Sequence, residues 1–133
     1  MADKDSVFTK IIKGEIPSHK IYEDDKTLAF MDIHPIVDGH TLIVPKNQIE
    51  FVWDLPDEDY RAVMETTKIV ANKLREVLPF SYVSERIVGT DVPHAHIQLI
   101  PFNDSRELTK QQDMDAVPDH DALANMAAKL KIN

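Results

Sequence analysis

The chain contains no cysteine, and this absence alone excludes several classes of protein. Without thiols there is no disulfide framework, no zinc finger built on thiolates and no cysteine nucleophile. Long apolar runs are missing too, because no stretch approaches the ~18 residues that a membrane-spanning helix needs. Residues 1–5 are polar and carry no secretory signal, so we expect a cytoplasmic protein that has no membrane partner.

Basic residues are fewer than acidic residues. The 133 residues include 15 Lys or Arg against 23 Asp or Glu, which gives a formal net charge of −8. An acidic surface repels polyanions, so we expect no nucleic acid partner, although a local pocket can still attract a small anion. The hydrophobic share of 43% and the charged share of 29% are ordinary for a folded chain. We therefore expect a single domain over residues 1–133.

Glycine is scarce, and each of the 3 glycines falls where an element of secondary structure is expected to stop. A short helix is expected after a cap at Asp5 or Ser6, ending at Gly14. Residues 57–78 have apolar side chains at spacings of three and four and an acidic first turn, which indicates a long amphipathic helix. Five β-like runs accompany it, at residues 19–23, 27–33, 41–44, 81–88 and 95–100. This arrangement favours an α+β domain with an antiparallel sheet.

The most informative stretch is residues 91–101, which read Asp-Val-Pro-His-Ala-His-Ile-Gln-Leu-Ile-Pro. In a β-strand alternate side chains face the same way, so His94, His96 and Gln98 would form one polar row. The row is either a functional site or a polar edge that faces solvent. A third interpretation is a metal site on the two imidazoles, which would need further ligands from His34, His40 or a carboxylate.

Residues 94–100, His-Ala-His-Ile-Gln-Leu-Ile, resemble the motif His-φ-His-φ-His-φ-φ (φ apolar) of the histidine triad, or HIT, superfamily of nucleotide hydrolases and transferases. Residues 6–17, 22–35 and 39–46 resemble the opening segments of its Hint branch, in the same order. The resemblance implies an HIT-like fold with a five-stranded antiparallel sheet, a long helix and shorter N- and C-terminal helices. It covers about residues 5–103, which leaves a C-terminal extension with a short helix at about 118–131.

Functional residues are implied by the same resemblance. His96 would be the nucleophile that attacks the α-phosphorus, flanked by His94 and Gln98 in contact with phosphate. The residues with supporting roles would be His40 beside the triad, Asp32 at the ribose hydroxyls, and Phe8, Phe30 and Ile33 around the base. Neutral imidazole is a good nucleophile near pH 7, which fits the first role independently. From local sequence alone, Asp32 could equally cap a turn before Pro35, and the apolar residues could simply be core.

The substrates implied are nucleotides such as AMP or GMP joined to an amine or a polyphosphate. Gln98 departs from the triad, because glutamine keeps a donor and an acceptor but cannot carry a proton charge. In this superfamily His-x-His-x-Gln is characteristic of nucleotidyltransferase and phosphorylase branches. Hydrolysis is therefore one hypothesis, transferase or phosphorylase activity a second, and a nucleotide-binding interaction module without turnover a third.

Further departures concern a metal site and the residues before the triad. Many bacterial Hint relatives hold a structural zinc at positions that here carry Ser6, Thr9 and Gln48, which are poor zinc ligands, so we expect no metal and no cofactor. The residues expected near phosphate and the leaving group are Gly89, Thr90 and Asp91. Asp91 replaces a hydroxyl of the family, and an acid there could either protonate a leaving group or repel phosphate.

A homodimer is the last expectation, because the helix 57–78 and the strand from Ser81 correspond to the elements that pair subunits in this family. The apolar stripe of that helix has two interpretations: it packs against a partner, or it packs inside its own subunit. The stripe consists of Val63, Thr67, Val70 and Leu74.

Overall fold

Five antiparallel strands form one sheet in the order β1-β2-β3-β5-β4 in the computed structural model, which describes residues 4–132. The strands are β1 (Lys20–Glu23), β2 (Thr27–Met31), β3 (Thr41–Pro45), β4 (Tyr82–Arg86) and β5 (Ile97–Phe102). The helices are α1 (Val7–Ile12), α2 (Asp57–Val77) and α3 (His120–Leu130), with short 3₁₀ turns at Val52–Asp54 and Ser105–Thr109. The predicted α+β fold with a long helix and shorter terminal helices is confirmed.

Both faces of the central strands are buried, because alternate side chains enter different cores. On one face, beneath α2 and α3, lie the apolar side chains of Ala29, Met31, Ile43, Ile97 and Leu99. On the other face, beneath α1, lie those of Leu28, Phe30, Leu42 and Val44. The residues between the apolar positions of β5 therefore point toward α1, as the alternation predicts.

The apolar stripe of α2 packs inside its own subunit. Val63, Val70 and Leu74 are almost fully buried against the sheet, and the Thr67 hydroxyl donates to the carbonyl of Val63 at 2.8 Å. Of the two interpretations of this stripe, burial within the subunit is correct, so the stripe is not a surface for a partner. The exposed face of α2 instead carries residues such as Ile69, which is 41% exposed.

The connection between β2 and β3 approaches the end of α2 closely at Gly39. This glycine has φ +90°, a region that favours glycine, and an added Cβ would lie 2.5 Å from Cδ1 of Leu78. Both the backbone and the contact therefore require glycine here. The helix itself ends at Val77 because Leu78 is extended and Pro79 follows.

The boundaries of all five strands differ from the prediction by one or two residues, and those of β2 and β5 have a visible cause. β5 begins at Ile97 rather than at residue 95, because the backbone N–H of Ala95 donates to the carbonyl of Ile49 instead of joining the sheet. β5 also runs through Pro101, where pairing with β3 has ended and only β4 is a neighbour. β2 stops at Met31 because the Asp32 side chain accepts from the backbone N–H of His34 and begins a turn.

The C-terminal extension returns to the sheet. The Asp119 side chain caps α3 by accepting from the backbone N–H of Ala122 at 3.0 Å. One face of α3 is buried in the core, through Leu123, Ala127 and Leu130. The backbone N–H of Ile132 then donates to the carbonyl of Ile21 on β1 at 2.8 Å. Among the described residues, no helix is both long and apolar enough to cross a membrane.

Candidate active site

A cavity of about 270 Å³ opens on the α1 side of the sheet, where the side chains of His96 and Gln98 lie. Cross-strand pairing aligns Phe30, Leu42 and Gln98 in one row, because directly paired residues of antiparallel strands share a face. The cavity is close to the lower end of the ~300–1,000 Å³ that small-molecule sites occupy. Its walls are mainly apolar, with a few polar side chains, which is typical of a ligand site.

A hydrogen bond to the backbone fixes which nitrogen of His96 carries a proton. Its Nδ1 lies 2.8 Å from the carbonyl oxygen of His94, and because a carbonyl only accepts, Nδ1 carries the proton. The lone pair is therefore left on Nε2, in a ring that lines the cavity. The Phe8 ring packs against the imidazole edge to face, with centroids 5.1 Å apart, and limits its rotation.

Gln98 is oriented by a short chain of hydrogen bonds that begins in the backbone. The N–H of Ile36 donates to Nδ1 of His40 at 3.1 Å, so the His40 proton is on Nε2. That Nε2 donates to Oε1 of Gln98 at 3.0 Å. Burial lowers the pKa of His40, which keeps the ring neutral and the chain of donors intact. The amide nitrogen of Gln98 is consequently the end of its side chain that is free to donate toward the cavity.

His94 does not line this cavity, although the sequence predicts that it contacts phosphate. Its Nε2 donates to the carbonyl of Pro45 at 2.7 Å, and its Nδ1 accepts from the Ser6 hydroxyl at 2.7 Å. Both ring nitrogens of His94 are thus hydrogen-bonded within the protein, and the residue is fully buried. Burial also lowers the pKa of His94. The ring lies on the α1 side like that of His96, packed on Phe8 with centroids 5.8 Å apart, but its bonds to Ser6 and Pro45 enclose it beside α1.

The three positions at which the sequence predicts a lost metal site, Ser6, Thr9 and Gln48, come together as a hydrogen-bonded cluster. The Thr9 hydroxyl donates to Oε1 of Gln48 at 2.6 Å, and the backbone N–H of Ser6 donates to the same oxygen at 2.9 Å. Two hydroxyls, an amide and one imidazole are a poor donor set for zinc. Within residues 4–132, no group of three or more His, Cys, Asp or Glu side chains is placed to hold a metal.

Asp32 caps a turn and also lines the cavity. Its Oδ1 accepts from the backbone N–H of His34 at 2.8 Å, which is the turn-capping role. The same side chain lines the cavity, and its Oδ2 lies 3.6 Å from Nε2 of His40. The carboxylate is therefore fixed by the turn and also available to a ligand that offers hydroxyl donors.

The other predicted residues divide into those that reach the cavity and those that do not. Phe8, Phe30, Ile33 and Asp91 line it. Phe8 and Phe30 pack edge to face with their ring centroids 5.7 Å apart. Gly89 and Thr90 lie outside the lining, and the Thr90 hydroxyl approaches the Asp91 carboxylate at 3.5 Å. That Gly89 and Thr90 bind substrate stays a prediction.

Several residues of the cavity were not predicted as part of a nucleotide site. Gln112 and Met114 reach it from the C-terminal extension, which no motif covers. Ser18 and His34 also line it, and each has a buried polar atom, Oγ and Nδ1 respectively, that has no partner within the described chain. No sequence signal marks either the extension or these atoms.

A second cavity, of about 320 Å³, lies beyond Ile33 and His34, between the β2–β3 connection and the extension. Neither His96 nor Gln98 lines it, and its acidic residues are Asp38, Asp113 and Asp119.

A model of the HIT domain family matches residues 13–105, most of the chain, including the polar row of β5. The chain belongs to the HIT family. Among relatives of this HIT protein, the adenosine 5′-monophosphoramidase HNT1 of Candida albicans is 36% identical over 135 residues. That alignment covers 94% of this chain and 88% of the relative.

Solved HIT structures agree with the fold. A HIT-like protein from Bartonella henselae, described as involved in cell-cycle regulation, superposes with a TM-score of 0.84 and 26% identity, over 98% of each chain. A zinc-bound histidine triad family protein from Mycobacterium smegmatis gives a TM-score of 0.76 and 28% identity, over 93% of this chain and 91% of that one. The similarity to the first structure includes the extension and not only the segment matched by the family model.

Proposed function

We propose that this HIT protein hydrolyses nucleoside 5′-phosphoramidates, and related dinucleoside polyphosphates, through a nucleotidyl intermediate on His96. The observation that carries the proposal is the bond from Nδ1 of His96 to the carbonyl of His94, which leaves Nε2 as a nucleophile. The similarity to the Candida albicans phosphoramidase supports the choice of substrate class.

The reaction proceeds in two displacements at the α-phosphorus. Nε2 of His96 attacks, the P–N bond of the substrate breaks, and the departing amine takes a proton from solvent. Water then attacks phosphorus, loses a proton and releases the nucleoside monophosphate, so the imidazole returns to its neutral state. The negative charge on the equatorial oxygens needs donors that are already in place, and the Gln98 amide supplies one.

The rest of the site binds the nucleoside. The Asp32 carboxylate suits the hydroxyls of ribose, and Phe8 and Phe30 give an apolar wall for a base. His94 acts in this proposal as a positioning residue, because its carbonyl fixes the tautomer of His96 while its own ring is bound to Ser6 and Pro45. The base preference between AMP and GMP derivatives stays a prediction to be measured.

One assay separates this function from its alternatives. The protein is incubated with adenosine 5′-phosphoramidate and with a diadenosine polyphosphate, with and without inorganic phosphate. Release of AMP regardless of phosphate supports hydrolysis, whereas phosphate-dependent formation of ADP supports the phosphorylase alternative suggested by Gln98. Nucleotide binding without turnover would support the interaction module. His120→Gln, which changes an exposed histidine at the start of α3, serves as a matched control for His96→Ala.

We further infer a homodimer that pairs through β4 and the exposed face of α2. β4 is an edge strand of the sheet, and its Tyr82 is 57% exposed while stacking on Phe102. An exposed edge strand is a ready surface for pairing with another chain. Light scattering at micromolar concentration is expected to give the mass of two chains, and the mass of one chain would contradict this inference. The cytoplasm remains the expected compartment.

A further inference from the structure

The C-terminal extension contributes side chains to the candidate active site, although it lies outside the residues 13–105 that match the family model. Gln112 and Met114 line the cavity at His96. The segment that carries them is held at its far end by α3, whose face of Leu123, Ala127 and Leu130 is buried in the core. The position of Gln112 is therefore set by tertiary packing.

Gln112 makes two specific hydrogen bonds in this cavity. Its Nε2 donates to Oδ2 of Asp32 at 2.9 Å and to the carbonyl of His34 at 2.9 Å. An amide nitrogen has two hydrogens, so both are used. The acceptor at the other end, Oε1 of Gln112, has no hydrogen-bond partner among the described residues.

The Asp32 carboxylate is thus held on both of its oxygens. Oδ1 accepts from the backbone N–H of His34, and Oδ2 accepts from Gln112. A carboxylate has about four acceptor positions, so roughly two remain for hydroxyl donors of a ligand. A cis-diol has two such donors. The Oε1 of Gln112 is a further acceptor near the Asp32 carboxylate, which the amide nitrogen of Gln112 bonds.

We propose that Gln112 is a specificity-determining residue, which makes the site prefer ribonucleotides over 2′-deoxyribonucleotides. It does so by fixing Asp32 and by offering Oε1 to the ribose hydroxyls. This proposal rests on the proposed function, because it assumes that a nucleotide occupies the cavity. A site built to bond a hydroxyl discriminates strongly against a ligand that lacks it, because its buried acceptors are then left unpaired.

The test compares binding of AMP and 2′-deoxy-AMP by calorimetry, using the wild type, Gln112→Ala and Gln112→Met. The methionine variant keeps the length of the side chain without its polar atoms. Gln111→Ala is the matched control, since Gln111 is the adjacent residue of the same type and is exposed. Circular dichroism establishes that each variant is folded.

We expect the wild type to bind AMP more tightly than 2′-deoxy-AMP, and both Gln112 variants to lose about 10-fold of that preference. In turnover the loss is expected in KM and not in kcat, because the ribose is bound equally before and during reaction. Gln111→Ala is expected to behave as wild type.

Other results overturn the proposal in distinguishable ways. An unchanged preference in both Gln112 variants refutes the role of Gln112 while leaving the proposed function standing. Tighter AMP binding in the variants would mean that the Gln112 amide competes with the diol for Asp32, which also refutes it. Failure of the wild type to bind either nucleotide would overturn the proposed function, and this proposal with it.

Discussion

Ser6 joins the first helix to a buried histidine, and its replacement by alanine tests how the site is held. The Ser6 Oγ accepts from the backbone N–H of Thr9 at 3.0 Å, which caps α1. The same hydroxyl donates to Nδ1 of His94 at 2.7 Å. Ser6→Ala removes both bonds and leaves an acceptor of a fully buried ring without its main partner.

The cost can be worked out from these contacts. Loss of a helix N-cap costs about 1 kcal/mol. An unpaired buried acceptor costs about 1–3 kcal/mol. In the variant the Thr9 hydroxyl, 3.3 Å from Nδ1 of His94, can donate there by giving up its bond to Oε1 of Gln48, which still accepts from the backbone N–H of Ser6, so the lower end of that range applies. We therefore expect Ser6→Ala to lower the free energy of unfolding by about 2 kcal/mol.

Urea denaturation followed by far-UV circular dichroism measures this change, with Ser81→Ala as the control. Ser81 is exposed and is bonded through its backbone N–H, so its hydroxyl can be removed without loss. A melting experiment should give a fall in Tm of about 6–10 °C. Ordinary surface substitutions change the free energy of unfolding by less than about 0.5 kcal/mol. A change within that range for Ser6→Ala would refute the reasoning.

Two further predictions concern protons and metal. Burial lowers the pKa of His40 and of His94 below 6.5, so the unfolded chain binds more protons than the folded one as the pH falls below that value. The free energy of unfolding is therefore expected to fall by about 1–3 kcal/mol between pH 7.5 and pH 5.5. Urea titrations at pH 7.5 and at pH 5.5 measure this loss of stability. We expect a smaller loss in His40→Asn, and a loss equal to that of the wild type would contradict the assignment to His40. Elemental analysis of the purified protein is expected to give no stoichiometric zinc, and about one zinc per chain would contradict the interpretation that Ser6, Thr9 and Gln48 do not hold a metal.

Alternation along β5 is the part of the site that could be predicted from sequence. It places His96 and Gln98 on the α1 side and Ile97 and Leu99 in the opposite core, because side chains of a strand alternate. The same rule holds for His94, whose ring bonds Ser6 and packs on Phe8, both on the α1 side. Alternation does not predict that α1 encloses this ring, because that depends on contacts such as the one between Ser6 and His94, which are 88 residues apart.

The contribution of the extension could not be predicted, for a different reason. Gln112 and Asp32 are 80 residues apart in sequence, and their contact depends on how α3 packs against the sheet. The segment around Gln112 has no regular element in the structure, so there was no hydrophobic period to interpret. Contacts of this kind are set by tertiary packing.

The central claim is that Nε2 of His96 becomes nucleotidylated, and trapping the intermediate tests it most directly. The protein is mixed with radiolabelled adenosine 5′-phosphoramidate and quenched rapidly, and the acid-labile label is mapped by peptide sequencing. The account predicts label on His96 and none on His94, whose ring nitrogens are already bonded to Pro45 and Ser6. It also predicts that His96→Ala abolishes both label and turnover. Label on His94, or full activity of His96→Ala, would contradict the account.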